Sequence, residues 1–320
     1  MKRGCITLLL ALLSLVGAGA RAAEPANVTV VMVGDLMLAG APGEWMRRGH
    51  DPFARVAPWL RDADVRLGNL ECVVSHTGSA EPDKPNVFRA HPRSLTYLRR
   101  HFDAVGLANN HSGDYGTAAF RDMLGRLKRS GIGYYGGGHD LAEAHAPWVI
   151  ERHGLRIAFL GYNEFQPRSF EADHDRPGVA WSEDAQVEHD IRQARTQWRA
   201  DLVIPVMHWG WEEPRANARQ RELARRMIDA GADAVVGGHP HQVQDIETYQ
   251  GKPIFYSLGN FVFDGFTLPE NRRGWLLRLE LDRQGVQAWQ IHTVQIDRRG
   301  LPHPARPAAP IQSAKRADVR

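Results

Sequence analysis

Cysteine is nearly absent from this chain, with Cys5 and Cys72 the two cysteines among 320 residues. Cys5 falls in a segment that we interpret as a cleaved leader, so the mature chain would keep one thiol and could form no internal disulfide. The shortage of thiolate ligands also argues against a purely structural zinc site. Cys72 is either a nucleophile or a small buried residue. The buried interpretation is favoured because no cationic partner stands near it in sequence.

Long hydrophobic runs are missing as well. The apolar run from Ile6 to Val16 is shorter than the roughly 20 residues that a membrane-spanning helix needs. It follows Lys2 and Arg3 and precedes small residues, which is the order of regions in a secretory signal. We therefore predict a signal peptide over residues 1–23 rather than a membrane anchor, and an exported protein that is periplasmic or extracellular.

A strong net charge is the third missing feature, since the formal balance is only +3. The leader and the segment after Asp297 carry the basic excess, so residues 24–297 are mildly acidic, and nucleic acid is not favoured as a partner. Residues 298–320 form a basic tail rich in Pro and Ala, which we expect to be disordered from Pro302 onward. No internal repeat or clean boundary divides residues 24–297, so we expect one domain.

What the sequence does contain is an alternation of short β-branched runs and amphipathic segments, typical of an α/β protein. Strands are predicted at 28–33, 65–67, 103–107, 132–135, 148–151, 155–161, 202–207, 234–236, 243–249, 253–256, 275–281 and 286–296. Helices are predicted at 53–60, 93–101, 114–130, 182–199 and 217–230. A Pro/Gly loop is expected before residue 53. Residues 75–92 and a polar stretch ending at Gly178 are expected to form surface loops, the first of them near the site.

Side chains able to bind a metal follow five of these predicted strands. They are Asp35, Glu71, Asn110 with His111, His208, and His239 with His241. Open α/β sheets collect ligand sites at the carboxyl ends of their strands, so we expect these groups to meet. Two carboxylates, an amide oxygen and several imidazoles suit one or two divalent transition ions, with Mn, Fe or Zn as the candidates.

Such a centre predicts hydrolysis, because a pair of divalent ions lowers the pKa of a water and stabilises developing charge. His111 adjoins a proposed ligand, and two roles stay open: protonating the leaving group, or orienting Asn110. Glu212 is either a ligand or base or a solvated loop charge, and Asn260 is expected to hydrogen-bond behind the ligands. Ser257 does not predict a serine hydrolase, since the G-x-S-x-G pattern is absent.

Taken together, the motifs resemble the CapA family of poly-gamma-glutamate capsule proteins. The matching segments are Gly34-Asp35, Asn69-Leu70-Glu71, Asn109-Asn110-His111, His208-Trp209-Gly210-Trp211-Glu212, Gly238-His239-Pro240-His241 and Tyr256-Ser257-Leu258-Gly259-Asn260-Phe261. The resemblance runs from about Val28 to Asp264. That family is similar to the calcineurin-like metallophosphoesterases, which implies a four-layer sandwich of two mixed β-sheets flanked by helices.

The resemblance also implies roles for individual residues. The implied metal ligands are Asp35, Glu71, Asn110, His208, His239 and His241, and the implied supporting or substrate-contacting residues are Asn69, Glu212 and Asn260. His111 would occupy the general-acid position. One departure concerns the metallophosphoesterase pattern, since Met37 stands where a His is usual and Glu71 where a bridging Asp is usual. A thioether is a poor ligand for hard ions, so one ion or two remains open.

Three functions compete at this point. The first is a metal-dependent hydrolase acting on an anionic envelope or capsule polymer or on a phosphoester. The second is a non-catalytic factor that binds poly-gamma-glutamate during assembly or export, in association with membrane-bound capsule machinery. The third, an inert scaffold, is disfavoured by six liganding side chains at the predicted site.

Overall fold

The computed structural model describes residues 27–165, 168, 170–305 and 310–313. The expected signal peptide, residues 1–23, lies outside these ranges. The strands in the described ranges are β1 (Val28–Leu36), β2 (Val65–Leu70), β3 (Val73–Val74), β4 (Arg89–Ala90), β5 (Ala104–Gly106), β6 (Gly133–Tyr135), β7 (Gly137–Gly138), β8 (Trp148–Arg152), β9 (Leu155–Asn163), β10 (Gly178–Val179), β11 (Leu202–His208), β12 (Val235–Gly238), β13 (Ile246–Tyr249), β14 (Lys252–Phe255), β15 (Asn260–Val262), β16 (Arg273–Asp282), β17 (Gly285–Ile296), β18 (Pro302–Pro304) and β19 (Ile311–Gln312).

Seven α-helices accompany these strands in the described ranges. They are α1 (Gly40–Arg47), α2 (Ala57–Arg61), α3 (Ser94–His101), α4 (Gly116–Arg129), α5 (Leu141–His145), α6 (Asp184–Thr196) and α7 (Ala218–Asp229), with a short 3₁₀ turn at Glu270–Arg272. None of these described helices is both long and apolar enough to cross a bilayer.

Two mixed sheets dominate the architecture. The first has nine strands in the order β18-β17-β16-β1-β2-β5-β6, with β15 beside β1 and β19 beside β17. The second has six strands in the order β13-β14-β12-β11-β9-β8. Strands β1, β2, β5 and β6 run parallel, as do β9, β11, β12 and β14, and antiparallel strands flank each group. Each sheet therefore has a block of parallel strands whose carboxyl ends share one edge.

The apolar pattern of β1 explains why its sheet is covered on both faces. Val30 and Met32 pack into the cluster between the two sheets, whereas Val31 and Val33 pack into the cluster under α1 to α4. A strand buried on both faces carries a continuous apolar run, as β1 does. A third cluster joins the second sheet to α6 and α7. The predicted four-layer α/β sandwich is confirmed.

Several local predictions differ from the structure. Residues expected to form a Pro/Gly loop contain α1, whose Ala41 N–H donates to the Asp264 carboxylate from 223 positions away (2.6 Å). Helix α5 was not predicted, although Asp140 caps it by accepting the Glu143 N–H at 2.8 Å. The helix predicted from residue 53 begins at Ala57, with proline in its first turn. The start of α1 thus depends on a contact with a residue distant in sequence, whereas the N-cap Asp140 could have predicted α5 from the sequence.

The expectation of disorder from Pro302 onward is wrong for part of the tail. Strands β18 and β19 both pair with β17. The free edge of a long strand offers unpaired N–H and C=O groups, and backbone pairing can satisfy them whatever the side chains are. Residues 306–309 and 314–320 of the expected tail lie outside the described ranges.

Substitution of Gly34 would test the close packing that positions the neighbouring residue Asp35. A Cβ at Gly34 would lie 1.8 Å from the Gly259 carbonyl oxygen, which also accepts the Asp35 N–H at 3.0 Å. We expect Gly34→Ala to lower the free energy of unfolding by about 3 kcal/mol or more in urea titration. The matched control is Gly125→Ala on α4, where the added methyl faces a flexible Arg129 side chain and should raise stability by about 0.5–1 kcal/mol. Equal effects of the two changes would contradict this account.

Candidate metal centre

Parallel strand ends from both sheets converge on one site. Asp35 lies near the end of β1, and Glu71 follows β2. His208 is the last residue of β11, and His239 and His241 follow β12. Because β1 and β12 belong to different sheets, the site lies where the two sheet edges meet. The sequence-predicted ligands from separate strands are therefore brought together.

Two overlapping groups of side chains could each hold a cation. Glu71, His239 and His241 form the first group, and Asp35, Glu71 and His208 form the second. Within each group the ligand atoms lie within 4.8 Å of one another. Glu71 belongs to both groups and could therefore contribute a ligand to either. Asn110 adds an amide oxygen, since its Oδ1 lies 2.8 Å from His208 Nε2.

Several polar atoms in this cluster are buried without a hydrogen-bond partner among the described residues. They are Asp35 Oδ2, both carboxylate oxygens of Glu71, and His239 Nε2. Isolated buried charges are costly, and a fully buried carboxylate needs a compensating cation or a proton. Burial raises the pKa of Glu71 well above its usual range, and the nearby charge of Asp35 raises it further. This donor set fits one or two divalent ions.

Two of the imidazoles have the protonation that ligands need. Burial lowers the pKa of His208 and of His239 well below its ordinary value, and neighbouring histidines lower it further. Neutral rings keep a lone pair for a metal. Burial also opposes protonation of His241, but the Asp35 carboxylate, whose Oδ2 lies 3.5 Å from His241 Nδ1, outweighs it and raises that pKa.

Amide side chains fix the ligands from behind. Asn69 donates to Asp35 Oδ1 at 2.9 Å and lies 3.2 Å from His208 Nδ1. Asn260 Oδ1 lies 2.9 Å from His241 Nδ1, which leaves Nε2 directed toward Glu71. Both asparagines thus contact candidate ligands, and their supporting role stays a prediction. Asn109, which sequence reasoning did not single out, donates to Asn69 Oδ1 at 3.0 Å and so joins the network.

His111 is held by a buried carboxylate that the sequence analysis also missed. Asp114 Oδ2 lies 2.8 Å from His111 Nδ1, and Asp114 also accepts from Lys84 Nζ and from the Phe88 N–H. This leaves His111 Nε2 facing Glu71 at 4.0 Å. Burial lowers the pKa of His111, although the Asp114 hydrogen bond opposes that shift. The separation of three residues between His111 and Asp114 could have predicted this contact from the sequence.

The loop after β12 adopts a strained backbone. His239 has φ 93° and His241 has φ 55°, which are left-handed values that non-glycine residues rarely adopt. A Cβ at the preceding Gly237 would lie 2.1 Å from the Tyr256 carbonyl oxygen. Strand β12 is thus packed tightly against the chain at Tyr256 just before the loop that carries both imidazoles. Strain of this kind concentrates at functional sites.

A cavity of about 600 Å³ opens above the cluster. Aromatic rings form much of its wall, among them Phe165, whose ring centre lies 3.8 Å from that of His239. Lys84 lines the cavity as a cation, and Glu212 lines it as an exposed carboxylate. Glu212 belongs to neither ligand group. Its solvated-loop interpretation therefore fits the structure better than a ligand role.

Comparison with known proteins identifies the family of this chain. The profile of the bacterial capsule synthesis protein family PGA_cap matches residues 29–265. The chain belongs to the PGA_cap family. It is 34% identical to the PGA biosynthesis protein CapA of Bacillus subtilis over 287 residues, covering 86% of this chain and 72% of that protein. It is 32% identical to the capsule biosynthesis protein CapA of Bacillus anthracis over 291 residues, covering 88% and 70%.

A solved structure supports the fold of this PGA_cap chain. It resembles a phosphatase from Mycoplasma pneumoniae with a TM-score of 0.56 and 11% identity, covering 88% of this chain and 96% of that one. At that identity the likeness concerns the fold alone. The resemblance to the CapA family and to a metallophosphoesterase-type architecture is confirmed.

Two residues that raised questions in sequence lie in the core of this PGA_cap chain. Met37 is buried in the apolar cluster beneath the first sheet, where its Sδ accepts the Ala39 N–H at 3.2 Å. It offers no ligand to the cluster. Cys72 is fully buried, and burial raises the pKa of its thiol to about 12. That environment suits the small buried residue and not a nucleophile.

Metal binding should be measurable through stability. We expect Mn²⁺ or Zn²⁺ to raise the thermal midpoint of chelator-treated protein, because a ligand at a hundredfold excess over its Kd adds about 2.7 kcal/mol. His239→Ala should remove most of this rise, since it deletes a buried ring nitrogen that has no hydrogen-bond partner in the described part of the chain. The control is His189→Ala, an exposed histidine on α6. Equal metal-induced shifts in both variants would rule out a site at His239.

Proposed function

We propose that this chain is an exported, metal-dependent hydrolase that cleaves a phosphoester or a bond in an anionic envelope or capsule polymer. One observation carries the proposal: two fully buried carboxylates face neutral imidazoles at the floor of a cavity, beside a histidine held by its own carboxylate. A purely structural core would not leave Glu71 without a hydrogen-bond partner among the described residues. The arrangement is chemically suited to hydrolysis.

The residues that would hold the cofactor are those of the two ligand groups together with Asn110. When bound, one or two divalent ions would supply Lewis acidity and a water of lowered pKa. Asn69 and Asn260 would hold the side chains of Asp35 and His241 in place through hydrogen bonds. The donor set of carboxylates, imidazoles and an amide suits Mn, Fe or Zn.

His111 would supply the proton for the leaving group. Asp114 accepts at Nδ1, so the transferable proton is the one on Nε2, which points toward the cluster. Burial lowers the pKa of His111, but a negatively charged substrate in the cavity would raise it by opposite charge. Asp114 would stabilise the imidazolium while the proton is in place. Lys84, which is paired with Asp114, also lines the cavity.

The setting of this activity is part of the proposal. The N-terminal order of basic, apolar and small residues supports export to the periplasm or the exterior. Both Bacillus relatives are named for PGA or capsule biosynthesis, which supports an anionic polymer substrate and association with membrane-bound capsule machinery. The substitution of Met37 for a possible ligand favours the alternative of a non-catalytic polymer-binding factor.

A turnover assay separates these functions. We expect the metal-loaded chain to hydrolyse a generic aryl phosphodiester or to shorten poly-gamma-glutamate. His111→Gln should lower kcat by about 10²–10⁴-fold with little change in KM, because it removes proton transfer and leaves binding intact. His189→Gln serves as the control on α6. Metal-bound protein that binds polymer and turns over neither substrate would support the assembly factor instead.

A further inference from the structure

A second concave surface lies on the helical layer outside the first sheet. It is a groove of about 580 Å³ between α3 and α4. Four arginines line it: Arg99 and Arg100 from α3, and Arg126 and Arg129 from α4. Thr96 and Ser130 add hydroxyl groups, and no described carboxylate lines it. We call this surface the arginine groove.

The charges of the arginine groove are only partly neutralised. Arg100 pairs with Asp51 at 3.0 Å, and Arg126 pairs with Asp122 at 2.7 Å. Arg99 and Arg129 make no side-chain hydrogen bond or ion pair with any described residue. Basic residues in the last turn of a helix interact favourably with its dipole, which accounts for each arginine singly. It does not account for two helices directing arginines onto one groove.

The basic surface continues beyond the groove toward the start of α3. Desolvation lowers the pKa of His91, and nearby cations that include Arg93 and Arg126 lower it further. His91 and Arg93 directly precede α3. Cationic residues thus flank α3 at both ends, Arg93 before its start and Arg99 and Arg100 in its last turn, and such a row suits a chain better than a point charge.

We propose that the arginine groove binds an extended polymer that carries a repeated oxyanion, carboxylate or phosphate. Guanidinium groups pair with either oxyanion through two parallel hydrogen bonds. One exposed pair contributes little, about 0.2–1 kcal/mol, so a single anion would be held weakly. A polymer that presents several anions gains from binding them together.

A membrane surface fits the groove less well than a polymer. The guanidinium groups meet in a concavity and not on a flat face. The large apolar side chains that are exposed in the described part are Trp198, Trp211, Leu268 and Ile311. None lies on α3 or α4, so this face has no apolar group to insert between lipids.

The arginine groove is separate from the metal centre. Helix α4 starts two residues after Asp114 and has 14 residues. At 1.5 Å per residue Arg129 lies about 20 Å along the helix from that start. The inference therefore does not depend on catalysis, and its failure can be told apart from failure of the proposed hydrolase.

The test is binding of labelled polyglutamate and labelled polyphosphate to the full mature chain by fluorescence anisotropy. We expect binding to weaken with salt and to weaken about tenfold in the double variant Arg99→Glu, Arg129→Glu. The matched control is Arg192→Glu, Arg199→Glu on and after α6, in the opposite helical layer. It makes the same charge change and should alter binding less than about twofold. Arg99→Lys, Arg129→Lys keeps the charges but loses the paired donors, so it should weaken binding by less than the Glu double variant does.

The remaining measurements decide whether the bound polymer carries carboxylate or phosphate groups. A preference for polyglutamate at equal charge identifies carboxylate as the group bound, and the reverse preference identifies phosphate. Free glutamate and inorganic phosphate should compete poorly. Equal losses in the two Glu double variants, or binding only to vesicles of phosphatidylglycerol, would overturn the proposal. Turnover of a small phosphodiester should be unchanged in the Arg99→Glu, Arg129→Glu variant, which also reports that it is folded.

Discussion

The constraint on which the site depends is the burial of two carboxylates in one place. Asp35 and Glu71 are fully buried, and their like charges raise the pKa of Glu71 beyond the effect of burial alone. Such a pair is tolerable only where a cation or a proton compensates for it. Asparagine and histidine side chains surround these two carboxylates. They orient the oxygens and leave several of them without a protein partner among the described residues.

The two-sheet architecture makes this burial possible. Strand β1 contributes Asp35 from the first sheet, and β11 and β12 bring His208 and the double-histidine loop from the second. Since both parallel blocks end at the shared edge, ligands more than 200 positions apart, Asp35 and His239, can meet. Residues 75–88 form the loop at this edge, with Lys84 and Phe88 on the cavity wall. Pairing of β3 with β4 ties the base of that loop together.

Much of the fold and of the ligand set could be predicted from sequence, because alternating apolar runs place strand ends and strand ends place ligands. His208 and His239 belong to this class. Asp114 has a different origin, since its role depends on a turn that brings it back to His111. Helix α1 could not be predicted locally, because Asp264 supplies the acceptor at its start. Met37 shows the same limit, because its burial in the apolar cluster beneath the first sheet depends on residues distant in sequence.

The left-handed backbone at His239 and His241 has a consequence for the dynamics of the centre. Each such residue stores about 1–3 kcal/mol of strain, which persists only while its surroundings over-determine it. Cation coordination would be one such restraint, so the loop after β12 would open more often in the ion-free protein than the strands that lead into it. Amide hydrogen exchange in this loop would then track ion occupancy, while exchange within β11 would track global unfolding.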